Sequence, residues 1–140
     1  MMNMSFLIVN AGEAKTTSPG DGIRALATFN LGKDIAVTAF NPATKAAVLA
    51  RETNNEILEN ILKSLLSPHA TNPYPILQIR IVGGQDNVAC REKLAMIVEI
   101  IQRVDSDRHL INIASCAANE KPHPQSFKLT SFDGNIGVLD

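Results

Sequence analysis

Residues 28–51 read TFNLGKDIAVTAFNPATKAAVLAR, and they contain two apolar segments, each preceded by a short turn. Residues 34–40 and 45–51 have the composition of strands, and the turn between them carries Pro42 at its second position. The stretch therefore predicts a β-hairpin entered through the Gly-centred turn Leu31-Gly32-Lys33-Asp34. A turn of this kind can hold a catalytic group at the lip of a sheet, so Asp34 either is such a group or only closes the turn.

The rest of the chain alternates between apolar strand patterns and two helical patterns. A capping-box pattern, Thr53-Asn54-Asn55-Glu56, precedes apolar residues at helical spacing, and Pro68 ends that helix. A second helix begins after Asp86 or Asn87 and carries apolar residues on one face. Further strands are predicted at residues 6–9, 23–29, 76–82, 110–115, 127–132 and 136–139. The order β-β-β-β-α-β-α-β-β-β predicts one α/β domain over residues 1–140, a mixed β-sheet sandwich with two main helices.

Composition and charge exclude several classes of protein. Hydrophobic residues make up 45% of the 140 residues and charged residues 19%, which is typical of a chain with a packed core. The net charge of -1 argues against binding to nucleic acid or to a membrane surface. No apolar run approaches the ~20 residues of a membrane span, and the N-terminus lacks the pattern of a signal peptide. The two cysteines do not form a disulfide framework, so we expect a cytoplasmic protein, although a specialised secretion system would leave no visible signal.

The first third of the chain contains several short motifs in a fixed order, namely Ala11-Gly12-Glu13, Pro19-Gly20, Thr28, Leu31-Gly32 and Asn41-Pro42. This order, with no gap from Thr28 to Arg51, resembles that of the chemoreceptor glutamine deamidases, the CheD family, and the resemblance covers nearly the whole chain. Farther on, residues 80–84 (RIVGG) look like the family's K-x-x-G-G strand end, and the closing hairpin is similar. Residues 53–75 form a shorter segment than in the family and lack its Tyr-Ala-Asp motif.

The resemblance implies a three-layer fold whose Cys nucleophile, His base and accompanying Thr hydrolyse glutamine amides on receptor proteins. Thr28 stands at the position of the Thr, but Asp34 stands at that of the Cys and Arg51 at that of the His. Phe29-Asn30 occupy the place of a family Gly. Aspartate is a poor nucleophile toward an amide, and arginine stays protonated and cannot act as a base. These residues therefore cannot carry out cysteine–histidine chemistry.

The charges of Asp34 and Arg51 suggest what replaced that chemistry. An active thiolate–imidazolium pair is a negative group beside a positive one. Asp34 and Arg51 would keep both charges permanently, in a geometry suited to a bidentate salt bridge that holds the turn or offers a polar binding spot. The alternative is that both side chains are separately solvated, in which case a surface pair contributes at most ~1 kcal/mol.

Other nucleophile candidates lie elsewhere in the chain. Cys90 is in the first turn of the second helix, where a thiol pKa is lowered, although a small half-buried structural residue is the simpler reading. Cys116 ends a strand seven residues before His123, which suggests a relocated Cys–His pair or, more simply, a strand-end thiol and a solvated histidine. His69, His109 and His123 show no metal-ligand spacing, so we expect neither a metal nor a cofactor. Gly83-Gly84 before a helix is a weak anion-binding pattern without the residues of a phosphate loop.

The sequence thus predicts a catalytically degenerate CheD-like domain that acts as a protein-binding or regulatory module. Its expected partner is a protein, either a signalling receptor or a phosphatase-like regulator. The alternative function is an amide hydrolase, related to the protein glutamine deamidases, with a relocated Cys nucleophile. A large exposed apolar patch would support the binding role.

Overall fold

The computed structural model describes residues 6–18, 20–42, 44–66, 77–84, 87–105, 111–116, 126–130 and 136–139. These ranges contain nine strands and two helices and form an α/β fold. In chain order the elements are β1 (Phe6–Ile8), β2 (Glu13–Thr17), β3 (Ala25–Thr28), β4 (Ile35–Asn41), β5 (Ala46–Arg51), α1 (Asn55–Leu66), β6 (Leu77–Gly83), α2 (Val88–Val104), β7 (Ile111–Cys116), β8 (Ser126–Thr130) and β9 (Ile136–Leu139).

The strands form two sheets, where the sequence predicted one. A five-stranded sheet has the order β2-β5-β4-β6-β7, and only its β6–β7 pair is parallel. A four-stranded sheet has the order β1-β3-β8-β9, and its β1–β3 pair is parallel. Both sheets are therefore mixed, as predicted, and the hairpins at β4–β5 and β8–β9 lie where the sequence placed them.

Each face of the five-stranded sheet contributes to a separate apolar cluster. Strand residues alternate between the faces, so Val37 of β4 and Val48 of β5 pack with Leu62 of α1 and Ile101 of α2. The residues between them face the other way. Ala36, Phe40 and Leu49 join Leu26 of β3 and Leu129 of β8, which belong to the four-stranded sheet. We call these the helix-side cluster and the sheet-side cluster.

The helix boundaries follow the predicted patterns, with one correction at the first cap. The Asn54 side chain, rather than that of Thr53, accepts the hydrogen bond from the backbone N–H of Ile57 at 2.8 Å. Asn54 is therefore the N-cap, and the predicted capping box is not formed, because the residue three positions after Asn54 is Ile57, whose side chain cannot bond back to the cap. At the second helix Asn87 is the N-cap, accepting from the N–H of Cys90 at 2.9 Å, which confirms one of the two predicted alternatives. Asp86 lies outside the described residues.

Strand β2 was not predicted, because Glu13-Ala14-Lys15-Thr16-Thr17 has no apolar alternation. It is an edge strand that pairs antiparallel with β5, and a polar composition is common at such positions. No helix in the described part of the chain is long and apolar enough to cross a membrane.

Candidate functional site

Three residues that the sequence placed at the degenerate catalytic positions meet at one end of the five-stranded sheet. Arg51 ends β5, Asp34 directly precedes β4, and Thr28 ends β3 in the other sheet. Arg51 Nε donates to Asp34 Oδ2 at 3.0 Å, and Arg51 Nη2 lies 2.9 Å from the same oxygen. Arg51 Nη1 donates to Thr28 Oγ1 at 3.1 Å. The side chains of Arg51 and Asp34 are only 12% and 17% exposed, so the hypothesis of an ion pair is confirmed and separate solvation is wrong.

The salt bridge is not the two-oxygen fork that the sequence suggested. The two guanidinium nitrogens that reach Asp34, Nε and Nη2, approach a single oxygen. Arg51 also bonds to the loop that connects β3 to β4. Arg51 Nη1 donates to the carbonyl of Phe29 at 2.6 Å, and Nη2 donates to the carbonyl of Asn30 at 3.1 Å. All three guanidinium nitrogens are engaged within the protein. Arg51 therefore holds the turn and has little capacity left to bind an external anion.

The loop that Arg51 holds has a constrained backbone. Asn30 and Gly32 adopt positive φ angles of 54° and 56°, and the N–H of Asp34 donates to the carbonyl of Leu31 at 2.8 Å. Thr28 is fully buried, and its hydroxyl donates to the carbonyl of Val9 at 2.8 Å. Arg51 therefore satisfies carbonyl groups that such a loop would otherwise leave without donors.

The strand end of β6 packs directly against this turn. The N–H of Gly84 donates to the carbonyl of Asp34 at 2.8 Å. A Cβ added to Gly83 would lie 2.5 Å from the same carbonyl oxygen and 2.8 Å from Leu31 Cδ1. The close approach of the two backbones explains why the strand ends in a Gly pair, while residues 85–86 of the predicted strand-to-helix turn lie outside the described residues.

A second ion pair beside the site was not found from the sequence. Glu52 follows Arg51 with a φ of 52°, and its Oε2 accepts from the N–H of Ile35 at 2.9 Å. Lys93 Nζ of α2 donates to Glu52 Oε1 at 2.7 Å, and this hydrogen bond raises the pKa of Lys93 above its ordinary value. The pair joins α2 to the end of β5, beside a cavity of about 130 Å³. A single Glu after a strand carries no sequence signal for such a role.

Of the candidates for a relocated nucleophile, the structure describes the side chain of Cys90 but only the backbone of Cys116. Cys90 is 6% exposed within the helix-side cluster, and its Sγ donates to the carbonyl of Lys33 at 3.4 Å. Cys90 is thus a buried residue of the helix-side cluster, where the sequence suggested a half-buried one. Cys116 ends β7, and its backbone pairs with Ile81 of β6, whereas His123 lies outside the described residues.

Metal ligation has no candidate in the ranges that the structure describes, since no three His, Cys, Asp or Glu side chains converge there. The predicted histidines His69 and His109 lie outside these ranges, as does His123. In the described site, the guanidinium nitrogens of Arg51 all bond to groups of the protein itself. Asp34 is engaged by Arg51, and the pair contains neither a thiol nor an imidazole, so these two residues cannot carry out cysteine–histidine chemistry.

Comparison with known proteins finds a relative that matches about half of this chain. No protein-family model matches the chain. "Uncharacterized protein RC0132" of Rickettsia conorii is 31% identical over 65 residues, a match that covers 46% of this chain and 87% of the Rickettsia protein. This chain belongs to the RC0132 family. Because the name of that relative states no activity, the function of the family has to be argued from the site itself.

Proposed function

We propose that this domain is a catalytically degenerate CheD-like module that binds a protein partner. The single observation that carries the proposal is the hydrogen-bonded cluster of Thr28, Asp34 and Arg51. These are the three positions at which the CheD resemblance places the Thr, Cys and His of the deamidase site, and they lie within hydrogen-bonding distance in this fold. On this proposal, the three positions of the deamidase site keep their arrangement in space, and a salt bridge takes the place of their chemistry.

The layering of the molecule supports the same proposal. The helix-side and sheet-side clusters lie on opposite faces of the five-stranded sheet, an arrangement that agrees with a three-layer CheD-like sandwich. A domain that keeps this architecture without the nucleophile retains its surfaces for recognition. The partner implied by the resemblance is a signalling receptor or a phosphatase-like regulator.

The alternative, an amide hydrolase with a relocated cysteine, has one observation in its favour. Strand β7 runs parallel to β6, so Cys116 and Gly83 lie toward the same end of the five-stranded sheet, and Gly83 pairs with Ile35 beside Asp34. The backbone of Cys116 is therefore at the same end of the sheet as the degenerate site. Cys90 favours the binding role, because its thiol is buried and donates to a backbone carbonyl.

Ammonia release from glutamine-containing receptor fragments and peptides separates the two functions. We expect the wild-type protein to release no ammonia above the buffer rate. The double variant Asp34→Cys with Arg51→His restores the residue types of the deamidase pair, and we expect it to gain thiol-dependent ammonia release. The matched control, Asp34→Ser with Arg51→His, keeps the same loss of the salt bridge without a thiol and should remain inactive.

The alternative has an equally specific signature in the same assay. The hydrolase would be the correct function if the wild-type protein releases ammonia and this activity is lost in Cys116→Ser but kept in Cys90→Ser. Alkylation by iodoacetamide across a pH series, followed by peptide mapping, provides an independent reading. An activated cysteine reacts well below the ordinary thiol pKa of about 8.5, whereas we expect Cys90 to stay protected until the protein unfolds.

A further inference from the structure

A groove lies between strand β2 and helix α1, at the edge of the five-stranded sheet that β2 forms. It has a volume of about 380 Å³. The residues that line it include the apolar Ile61 and Leu65 of α1 and the polar Thr16, Asn60 and Ser64. We call it the β2–α1 groove. The residues that line it include no charged side chain, so it is suited to an uncharged occupant.

The groove lies beside a strand edge that no described strand covers, and only at its start does the N–H of Glu13 donate to the carbonyl of Asn10, at 3.0 Å. Among the described strands, β2 pairs only with β5 and ends the five-stranded sheet on that side. The outer edge of a terminal strand presents a row of backbone N–H and C=O groups that another extended chain can pair with. An open edge and an adjoining groove are the two parts of a site for strand addition, in which the edge binds the peptide backbone and the groove takes its side chains.

The register of β2 directs its charged side chains away from the groove. Thr16 pairs with Val48, whose side chain belongs to the helix-side cluster, so Thr16 is on the face that α1 covers. Lys15 pairs with Leu49 of the sheet-side cluster, and Lys15 Nζ donates to the carbonyl of Ile8 at 2.8 Å. The ammonium group of Lys15 is therefore held on the opposite face, and it does not interfere with a neutral peptide at the edge.

We propose that an extended, uncharged peptide segment of a partner protein adds to the outer edge of β2 and places alternate side chains in the β2–α1 groove. A small molecule in the groove would leave the strand edge unpaired, and a helix laid over the groove would do the same. An extended backbone satisfies both features at once. The proposal deepens the protein-binding function given above and rests on it, but it concerns a different surface from the Thr28–Asp34–Arg51 cluster.

The test is a selection of displayed random peptides long enough to pair with all of β2. Peptides are selected on the wild-type domain and counter-selected on Ser64→Arg, which puts a bulky charge into the groove at an exposed helical position. The matched control is Gln102→Arg, which adds the same side chain at an exposed position on α2. We expect enriched peptides to bind roughly tenfold or more weakly to Ser64→Arg than to the wild type, and equally to Gln102→Arg.

Backbone pairing is then tested on the selected peptide itself. Amide NMR shifts should concentrate in residues 14–18 and 60–65, and amide exchange along β2 should slow. Methylation of the peptide backbone nitrogens on one alternating set should abolish binding, and methylation of the other set should not, because only one set faces β2.

Three results would overturn the proposal. The first is a selection that yields no peptide binding more weakly to Ser64→Arg than to the wild type. The second is a set of amide NMR shifts confined to residues 28–34 and 51. The third is a concentration-dependent dimer of this chain that Ser64→Arg abolishes. The last result would assign the edge to a second copy. None of these outcomes depends on ammonia release, so the proposed function and this inference can fail separately.

Discussion

At the scale of single residues, Arg51 connects parts of the chain that are distant in sequence. Its guanidinium bonds to the end of β3, to the following loop and to the turn before β4. A surface arginine such as Arg103, which is 60% exposed beside Glu59, makes a contact that water can replace. The difference in burial predicts a difference in free energy of unfolding.

Replacing Arg51 should therefore cost far more stability than replacing Arg103. We expect Arg51→Met to lower the free energy of unfolding by about 2–4 kcal/mol, because the Asp34 carboxylate and two loop carbonyls lose their donors in a partly buried place. Arg103→Met should cost less than about 1 kcal/mol. Urea unfolding with an unchanged m-value measures both. Equal losses would mean that the Arg51 network is as weak as a solvated pair.

Gly83 offers a second prediction at the residue scale. Gly83→Ala adds a Cβ within 2.5 Å of the Asp34 carbonyl at a φ of 88°. Gly12→Ala is the matched control, since Gly12 has a φ of 84° and no atom within 4 Å of its added Cβ. We expect Gly12→Ala to cost about 1 kcal/mol from backbone strain, and Gly83→Ala at least about 2 kcal/mol more from the clash. Similar denaturation midpoints would show that the two backbones separate easily.

At the scale of elements, the start of α1 depends on one side chain. Asn54→Ala removes the acceptor for the N–H of Ile57, and we expect a loss of about 1 kcal/mol in the free energy of unfolding. Thr53→Ala is the neighbouring control and should cost less. Thermal unfolding followed by circular dichroism compares the two. A larger effect at Thr53 would restore the capping box that the sequence suggested.

Helix α2 is joined to the end of β5 by Lys93 and Glu52, and this contact should depend on pH. Because the hydrogen bond from Lys93 to Glu52 raises the pKa of Lys93 in the folded protein, its stabilisation is fully present below the unfolded pKa and is lost as the pH rises through the folded value. Lys93→Met should thus be less stable than wild type at neutral pH, by no more than about 1 kcal/mol. We expect the difference to shrink above the ordinary lysine pKa of about 10.4. A difference that stays constant across this range would exclude the ion pair as its source.

At the scale of the whole molecule, both apolar clusters depend on the same strands. Val37 and Val48 belong to one cluster, and their neighbours Ala36 and Leu49 belong to the other. Loss of β4 and β5 would therefore expose both. We expect one cooperative unfolding transition, with calorimetric and van 't Hoff enthalpies that agree. Two separated heat-absorption peaks would show that the four-stranded sheet unfolds as an independent unit.

The sequence predicted most of this architecture where burial imposes a pattern. The β4–β5 hairpin follows two nearly continuous apolar runs, which burial on both faces of the sheet produces. The two helices follow apolar residues at helical spacing. Strand β2 has no such pattern because it lies at an edge. The division into two sheets depends on long-range pairing between β3 and β8, which local periodicity does not encode.

The candidate site was predicted in its members but not in its geometry. The CheD resemblance brought Thr28, Asp34 and Arg51 together from three strand ends. The hydrogen bonds from Arg51 to the carbonyls of Phe29 and Asn30 depend on the backbone angles of the loop, and these angles were not predicted from the sequence. Glu52 was missed for the same reason, since its function in the site arises from a positive φ and from a lysine on a distant helix.

The salt bridge between Asp34 and Arg51 also affects how readily this end of the five-stranded sheet can be oxidised. A reactive thiolate, which the CheD resemblance places at position 34, is converted stepwise to sulfenic and sulfinic acids. A carboxylate and a guanidinium contain no sulfur and do not undergo this series of reactions. The salt bridge itself would therefore survive peroxide, and the one described sulfur that contacts the turn, Cys90 Sγ at the carbonyl of Lys33, is only 6% exposed.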